Sequence, residues 1–72
     1  MSLKLALAQL QSGNFLLVRD DPSREDEGDL ILAGEFASEE KIGFMVRHTS
    51  GIICVALTPE STDRLDLPPM VL

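Results

Sequence analysis

Six of the chain's twelve acidic residues fall within residues 20–29, in the run DDPSREDEGD. Asp20, Asp21, Glu25, Asp26, Glu27 and Asp29 stand there with Arg19 and Arg24 as the only cationic neighbours. Like charge at this density is costly unless a cation neutralises it or the carboxyl groups share protons. Glu25, Glu27 and Asp29 alternate, so an extended backbone would project all three to one face. Carboxylates gathered in this way hold a hard divalent cation or move protons, and oxygen-only ligation favours Mg2+ or Mn2+ over zinc. Gly28 permits a tight turn or a close backbone approach to a ligand. Arg24, beside the cluster, suits a phosphate or a sugar hydroxyl. The competing reading is a solvated acidic turn between strands, and residue types alone leave both open. An EF-hand calcium loop does not fit, because the D-x-D-x-D-G spacing with a late Glu is missing.

Two further side chains can do chemistry. His48 is placed by pattern at a helix end, where its cationic form suits the dipole. Cys54 lies among Ile and Val, where a cysteine is usually a small buried hydrophobe. A cysteine and a histidine can form a nucleophile and its base, but the placement of these two does not require one. The sequence contains no glycine-rich phosphate loop and no CxxC pattern.

The elements that must position these residues follow from the apolar pattern. Leu3, Leu7 and Leu10 share one face of an N-terminal helix that Ser2 can cap and Gly13 can end. Residues 15–18 read as a buried strand, and residues 30–33 as a second strand pairing with it across the acidic loop. Pro22 prevents a continuous helix through that loop. Ser38, followed by Glu39 and Glu40, predicts a helix start. Ile42, Met45 and Val46 are expected to face the core from that helix, which should end near His48 or Thr49. After Ser50 and Gly51, residues 52–57 (IICVAL) are the strongest strand candidate. Thr58, Pro59 and Glu60 predict a short helix through about Leu65, and Pro68-Pro69 prevents its extension past Leu67. The expected architecture is one α+β unit with about three strands and two to three short helices.

Bulk properties narrow the function further. A chain of 72 residues allows one domain with a modest core. A net charge of −6, with three Phe and no Trp or Tyr, argues against nucleic acid as a partner. No segment approaches the roughly 18 apolar residues needed to cross a bilayer, so no membrane role is expected. The leading MSLKLALAQL fits a helix better than a signal peptide. One cysteine cannot form an internal disulfide, which makes a reducing cytoplasm the expected compartment. The final residues, LPPMVL, are apolar, and the pattern points to a truncated end more than to a terminus tucked into a core.

The runs RDDPSREDEGDLILAGE, RHTSGIICVALT and LDLPPMV, in this order and spacing, resemble the 3,4-dihydroxy-2-butanone 4-phosphate synthase family of riboflavin biosynthesis. The resemblance covers most of residues 15–71. It implies an α/β sandwich in which these strands form part of a larger sheet. It also implies a lyase that converts ribulose 5-phosphate to 3,4-dihydroxy-2-butanone 4-phosphate and formate with Mg2+ or Mn2+. By position in the family's motifs, Glu25 corresponds to a metal ligand, and Arg24, Glu25 and Asp29 to substrate-contacting residues. The candidate catalytic residues are Glu27, Asp29 and Cys54: Glu27 as a proton-transfer or loop-ordering group, Cys54 as a residue lining the substrate pocket. Such chemistry suits an acidic loop, since a metal polarises oxygens while carboxylates move protons. The resemblance further implies a homodimer with a small sugar phosphate as its ligand.

This sequence also departs from the family. The family's second metal ligand is a histidine in a downstream GHTEA-like stretch, and none of the 72 residues supplies it, since His48 belongs to a different block. Asp26 stands where family members often carry Asn, and Pro22-Ser23 where they often carry acidic residues. Residues 1–72 are therefore expected to form the N-terminal portion of a single synthase domain, inactive by themselves. The alternative is a stand-alone degenerate domain that binds a partner or sugar phosphate without catalysis. A bare structural acidic domain is the third reading.

Overall fold

The computed structural model describes residues 2–70. Helix α1 spans Leu3–Gln11, and the Ser2 hydroxyl accepts the Leu5 amide N–H at 3.2 Å. Gly13 ends it in the left-handed region at φ +82°, which a side chain there would strain. A Cβ at Gly13 would also lie 3.1 Å from the Phe36 ring. The chain then enters strand β1 (Leu16–Arg19), turns through the acidic loop, and returns as strand β2 (Gly28–Ile31). The two strands are antiparallel, with Leu16 opposite Ile31 and Arg19 opposite Gly28. A single 3-10 turn, Gly34–Phe36, leads into helix α2 (Glu39–His48).

The ends of α2 match the helix dipole. The Ser38 hydroxyl accepts the Lys41 amide N–H at 3.1 Å, Glu39 and Glu40 lie in the first turn, and Arg47 and His48 in the last. Two contacts fasten α2 to the rest. Lys41 Nζ donates to the Gly13 carbonyl at 2.7 Å, and the Phe44 ring stacks on Phe15 with centroids 5.1 Å apart. Helix α3 (Pro59–Arg64) starts as expected, with Thr58 as N-cap and proline in its first turn. The helices and the β1–β2 pairing therefore follow the sequence pattern closely.

Three expectations need correction. Residues 52–57 do not join a sheet: the described residues form one two-stranded sheet, so there are two strands instead of about three. The apolar run is real, but a strand needs a partner for its backbone groups, and neither β1 nor β2 supplies one. Val46 is 46% exposed, because α2 meets the rest of the chain through Phe44, Lys41 and the half-buried Ile42 and Met45. No large apolar side chain among the described residues is fully buried. The apolar packing that exists is a half-buried layer of Phe15, Leu30, Leu32, Phe36, Ile42 and Met45. The apolar C-terminal run lies partly outside the described residues.

Candidate functional site

The acidic loop folds as an organised turn, and its carboxylates divide into two groups. Backbone bonds set its frame: the Asp20 amide N–H donates to the Glu27 carbonyl at 2.7 Å, and that of Arg24 to the Asp21 carbonyl at 2.9 Å. Asp20 is the hub. Its carboxylate accepts from the Asp21 amide at 2.8 Å, the Glu25 amide at 3.0 Å and Arg24 Nη1 at 2.6 Å. Asp21 makes the Asx turn that its place before Pro22-Ser23 favours, accepting from the Ser23 amide at 2.8 Å and the Ser23 hydroxyl at 2.6 Å. The Ser23 hydroxyl first, and then its backbone N–H, hold the Asp21 carboxyl below the ordinary aspartate value. Asp26 has φ 52° and pairs with Arg19 at 2.8 Å. Asp20, Asp21 and Asp26 thus shape the turn, and their charge is met by backbone N–H groups and arginines.

Glu25, Glu27 and Asp29 do not share one face. Glu25 belongs to the turn, the left-handed Asp26 interrupts any extended run, and β2 begins only at Gly28. Glu25 lies at the outer part of the turn with Arg24 Nη1 2.7 Å from its Oε1. Arg24 is therefore engaged with both Glu25 and Asp20, although its side chain remains 67% exposed.

Glu27 and Asp29 go elsewhere. With Cys54 and His48 they line an open cleft of about 940 Å³, walled by Ile53 and Phe44 among others. The cleft lies between β2, the end of α2 and the segment after it. Among the described residues, neither Glu27 nor Asp29 forms an ion pair. His48 does more than end the helix: its ring lies against Phe44, with centroids 4.4 Å apart. Cys54 is exposed, contrary to the expectation of a buried mid-strand cysteine, because among the described residues no strand pairs with its segment. The structural role of Asp20 is not evident from composition, where it looks like any other member of the cluster. The D-P-S pattern at residues 21–23 was a legible signal for the turn.

Carboxylate oxygen is the right donor chemistry for Mg2+ or Mn2+, which are commonly held by one or two carboxylates with water and substrate oxygens. Glu25 supplies one such donor. Among the described residues no group of three His, Cys, Asp or Glu converges on a common point. The carboxylate chemistry of Glu25 suits a hard cation, but these residues alone do not form a complete site.

Comparison with known proteins identifies the surroundings of this arrangement. A family model described as 3,4-dihydroxy-2-butanone 4-phosphate synthase matches residues 4–72. The chain is 59% identical to the 3,4-dihydroxy-2-butanone 4-phosphate synthase of Pyricularia oryzae over 85% of its own length and 26% of that protein. It is 52% identical to the riboflavin biosynthesis protein RibBA of Salinispora tropica over 96% of its length and 17% of that protein. A crystal structure of a 3,4-dihydroxy-2-butanone 4-phosphate synthase in its cation free form superposes with a TM-score of 0.89. That match has 51% identity and covers 99% of this chain and 34% of the other. The chain thus spans about a quarter or less of these two curated relatives.

Proposed function

The chain belongs to the 3,4-dihydroxy-2-butanone 4-phosphate synthase family, and from that premise we propose that it carries the acidic share of that lyase's active site. The reaction is conversion of D-ribulose 5-phosphate to 3,4-dihydroxy-2-butanone 4-phosphate and formate, a step of riboflavin biosynthesis. The observation that carries this reading is the cleft lined jointly by Glu27, Asp29 and Cys54, the three candidate catalytic residues. Free carboxylates at such a cleft can take and return protons as an enediol forms and the carbon skeleton shifts. Glu27 and Asp29 have that freedom because, among the described residues, neither forms an ion pair, whereas Asp20, Asp21 and Asp26 are engaged in the turn.

Glu25 is assigned as a ligand to Mg2+ or Mn2+, and a bound cation would polarise the substrate's carbonyl and hydroxyl oxygens. Arg24 keeps an exposed guanidinium for the phosphate while one of its nitrogens steadies Asp20 and Glu25. Asp29 also contacts substrate from the cleft. Cys54 lines the pocket and bounds its apolar side together with Ile53. The working protein in this reading is a cytoplasmic homodimer. Among the described residues, no helix is long and apolar enough to cross a membrane. A stand-alone binding domain is disfavoured because, among the described residues, no large apolar side chain is fully buried.

The test uses a composite domain in which residues 1–72 replace the matched part of the solved relative. Formate release from ribulose 5-phosphate, lost in Glu25→Ala, supports the reading. Full activity in Glu25→Ala refutes the ligand assignment.

A further inference from the structure

The carboxylates of the cleft are suited to take protons, but the chemistry also calls for a group that gives one. The four-carbon product ends in a methyl group at the end remote from its phosphate, where ribulose 5-phosphate carries a hydroxymethyl group. A carbon–oxygen bond therefore breaks there, and hydroxide leaves poorly until a proton reaches it. Among the described residues that line the cleft there is no Lys or Arg, which leaves His48 as its one basic side chain. Imidazole is also the side chain whose ordinary charge change falls between about pH 5 and 8, so it can give a proton and regain it near neutrality.

The place of His48 is fixed on both sides along the chain. Phe44 stands one helical turn earlier on the same face of α2, and its ring lies 4.4 Å from the imidazole between centroids. Phe44 in turn stacks on Phe15, just ahead of β1, so the imidazole sits at the end of an aromatic ladder that begins at the sheet. After His48 the helix ends in a fastened turn. The Thr49 hydroxyl donates to the Met45 carbonyl at 2.6 Å and accepts the Gly51 amide N–H at 3.3 Å, and Gly51 lies at φ +86°. The Thr49 proton is thus already committed, although Thr49 also lines the cleft. The titratable groups that share the cleft with His48 are Glu27 and Asp29 from β2 and Cys54 from the segment after α2, while Arg47 precedes it in the last turn of α2.

On the basis of the function given above, we propose that His48 is a further catalytic residue, the acid that protonates the departing hydroxyl of the sugar phosphate. A carboxylate first takes the proton beside the carbonyl, which gives the enediol. The enediol hydroxyl farther from the leaving group then gives its proton to a carboxylate and becomes a carbonyl. The electron pair of the enediol double bond moves to form a double bond to the terminal carbon, and the terminal carbon–oxygen bond breaks with its pair on oxygen. The His48 imidazolium gives its proton to that oxygen, which departs as water and leaves a neutral imidazole. Of the two protons then held by the carboxylates, one goes to the terminal carbon and makes the methyl group, and the other restores His48. Release of formate takes up water again, so the whole reaction neither gains nor loses it.

The experiment follows ribulose 5-phosphate in deuterium oxide with the composite domain and its His48→Gln variant. The parent should exchange the proton beside the carbonyl for deuterium and release formate. His48→Gln should keep the exchange, which the carboxylates carry out, and release formate about 100-fold more slowly or worse. Formate release at the parental rate in His48→Gln overturns the role of His48 and leaves the proposed function standing. If His48→Gln loses exchange and formate together, His48→Ala decides: formate release restored by added imidazole sustains the role, and no restoration overturns it. A parent that neither exchanges nor releases formate overturns the proposed function, and the role of His48 with it.

Discussion

Arg19 and Asp26 close the acidic turn across its base: Nη2 and Nε of the arginine approach one carboxylate oxygen at 2.8 and 3.3 Å. The pair spans the last residue of β1 and the residue that interrupts the extended run before β2. Asp26 is held in the left-handed region, and this bend separates Glu25, at the outer turn, from Glu27, in the cleft. One local conformation therefore distributes the carboxylates between two tasks.

Asp26→Val should disorganise the turn, because a β-branched residue at φ 52° costs about 1–2 kcal/mol. Loss of the exposed ion pair adds less than about 1 kcal/mol. Asp26→Asn should be nearly neutral, since Asn tolerates the same conformation. Thermal unfolding of the composite domain measures both, and equal losses in the two variants would contradict the role given to the backbone.

Asp21 makes the turn sensitive to acid. Its carboxyl is held below the ordinary value of 3.8 by the Ser23 hydroxyl and amide, so its contribution is fully present above that pH. The contribution is lost as pH falls through the depressed folded value. Carboxyl carbon shifts recorded against pH should show the low titration, and Ser23→Ala should move it upward toward 3.8. An unmoved midpoint would remove Ser23 as the cause.

Gly13 joins α1 to α2 through its carbonyl, which accepts Lys41 Nζ at 2.7 Å. Gly13→Ala should destabilise the composite domain by about 1–2 kcal/mol, from the left-handed backbone and the close approach of Phe36. Lys41→Met should cost less, because it removes the hydrogen bond without straining the backbone. Urea unfolding of the two variants provides the comparison.

The parts of this fold governed by local chemistry were legible in the sequence. Ser2, Ser38 and Thr58 cap the three helices where the pattern places them, and the apolar runs beside the acidic loop do pair. The fate of residues 52–57 was not legible, because an apolar run specifies a strand but not its partner. Nor did alternation place Glu25 with Glu27 and Asp29, since the left-handed Asp26 is stabilised by Arg19 from the opposite strand. The cleft depends on bringing β2 beside His48 and Cys54, a tertiary relationship that spacing along the chain does not encode.

Glu27 and Asp29 should differ from the turn-forming aspartates in what their loss does. Glu27→Gln and Asp29→Asn are expected to lower kcat in the composite domain by about 100-fold or more, the scale of general acid–base catalysis, with unfolding temperature little changed. Asp20→Asn should lower stability as well, because its carboxylate organises three donors. A purely thermal effect of the Glu27 and Asp29 variants would assign those residues to structure.

The most direct measurement of the central claim is formate release from ribulose 5-phosphate by the composite domain, with Mg2+ or Mn2+ supplied, beside its Glu25→Ala variant. The account predicts formate in equal amount to the four-carbon phosphate product, and none above background when Glu25 is removed. A correctly folded composite that releases no formate, or a Glu25→Ala variant as active as its parent, would contradict it.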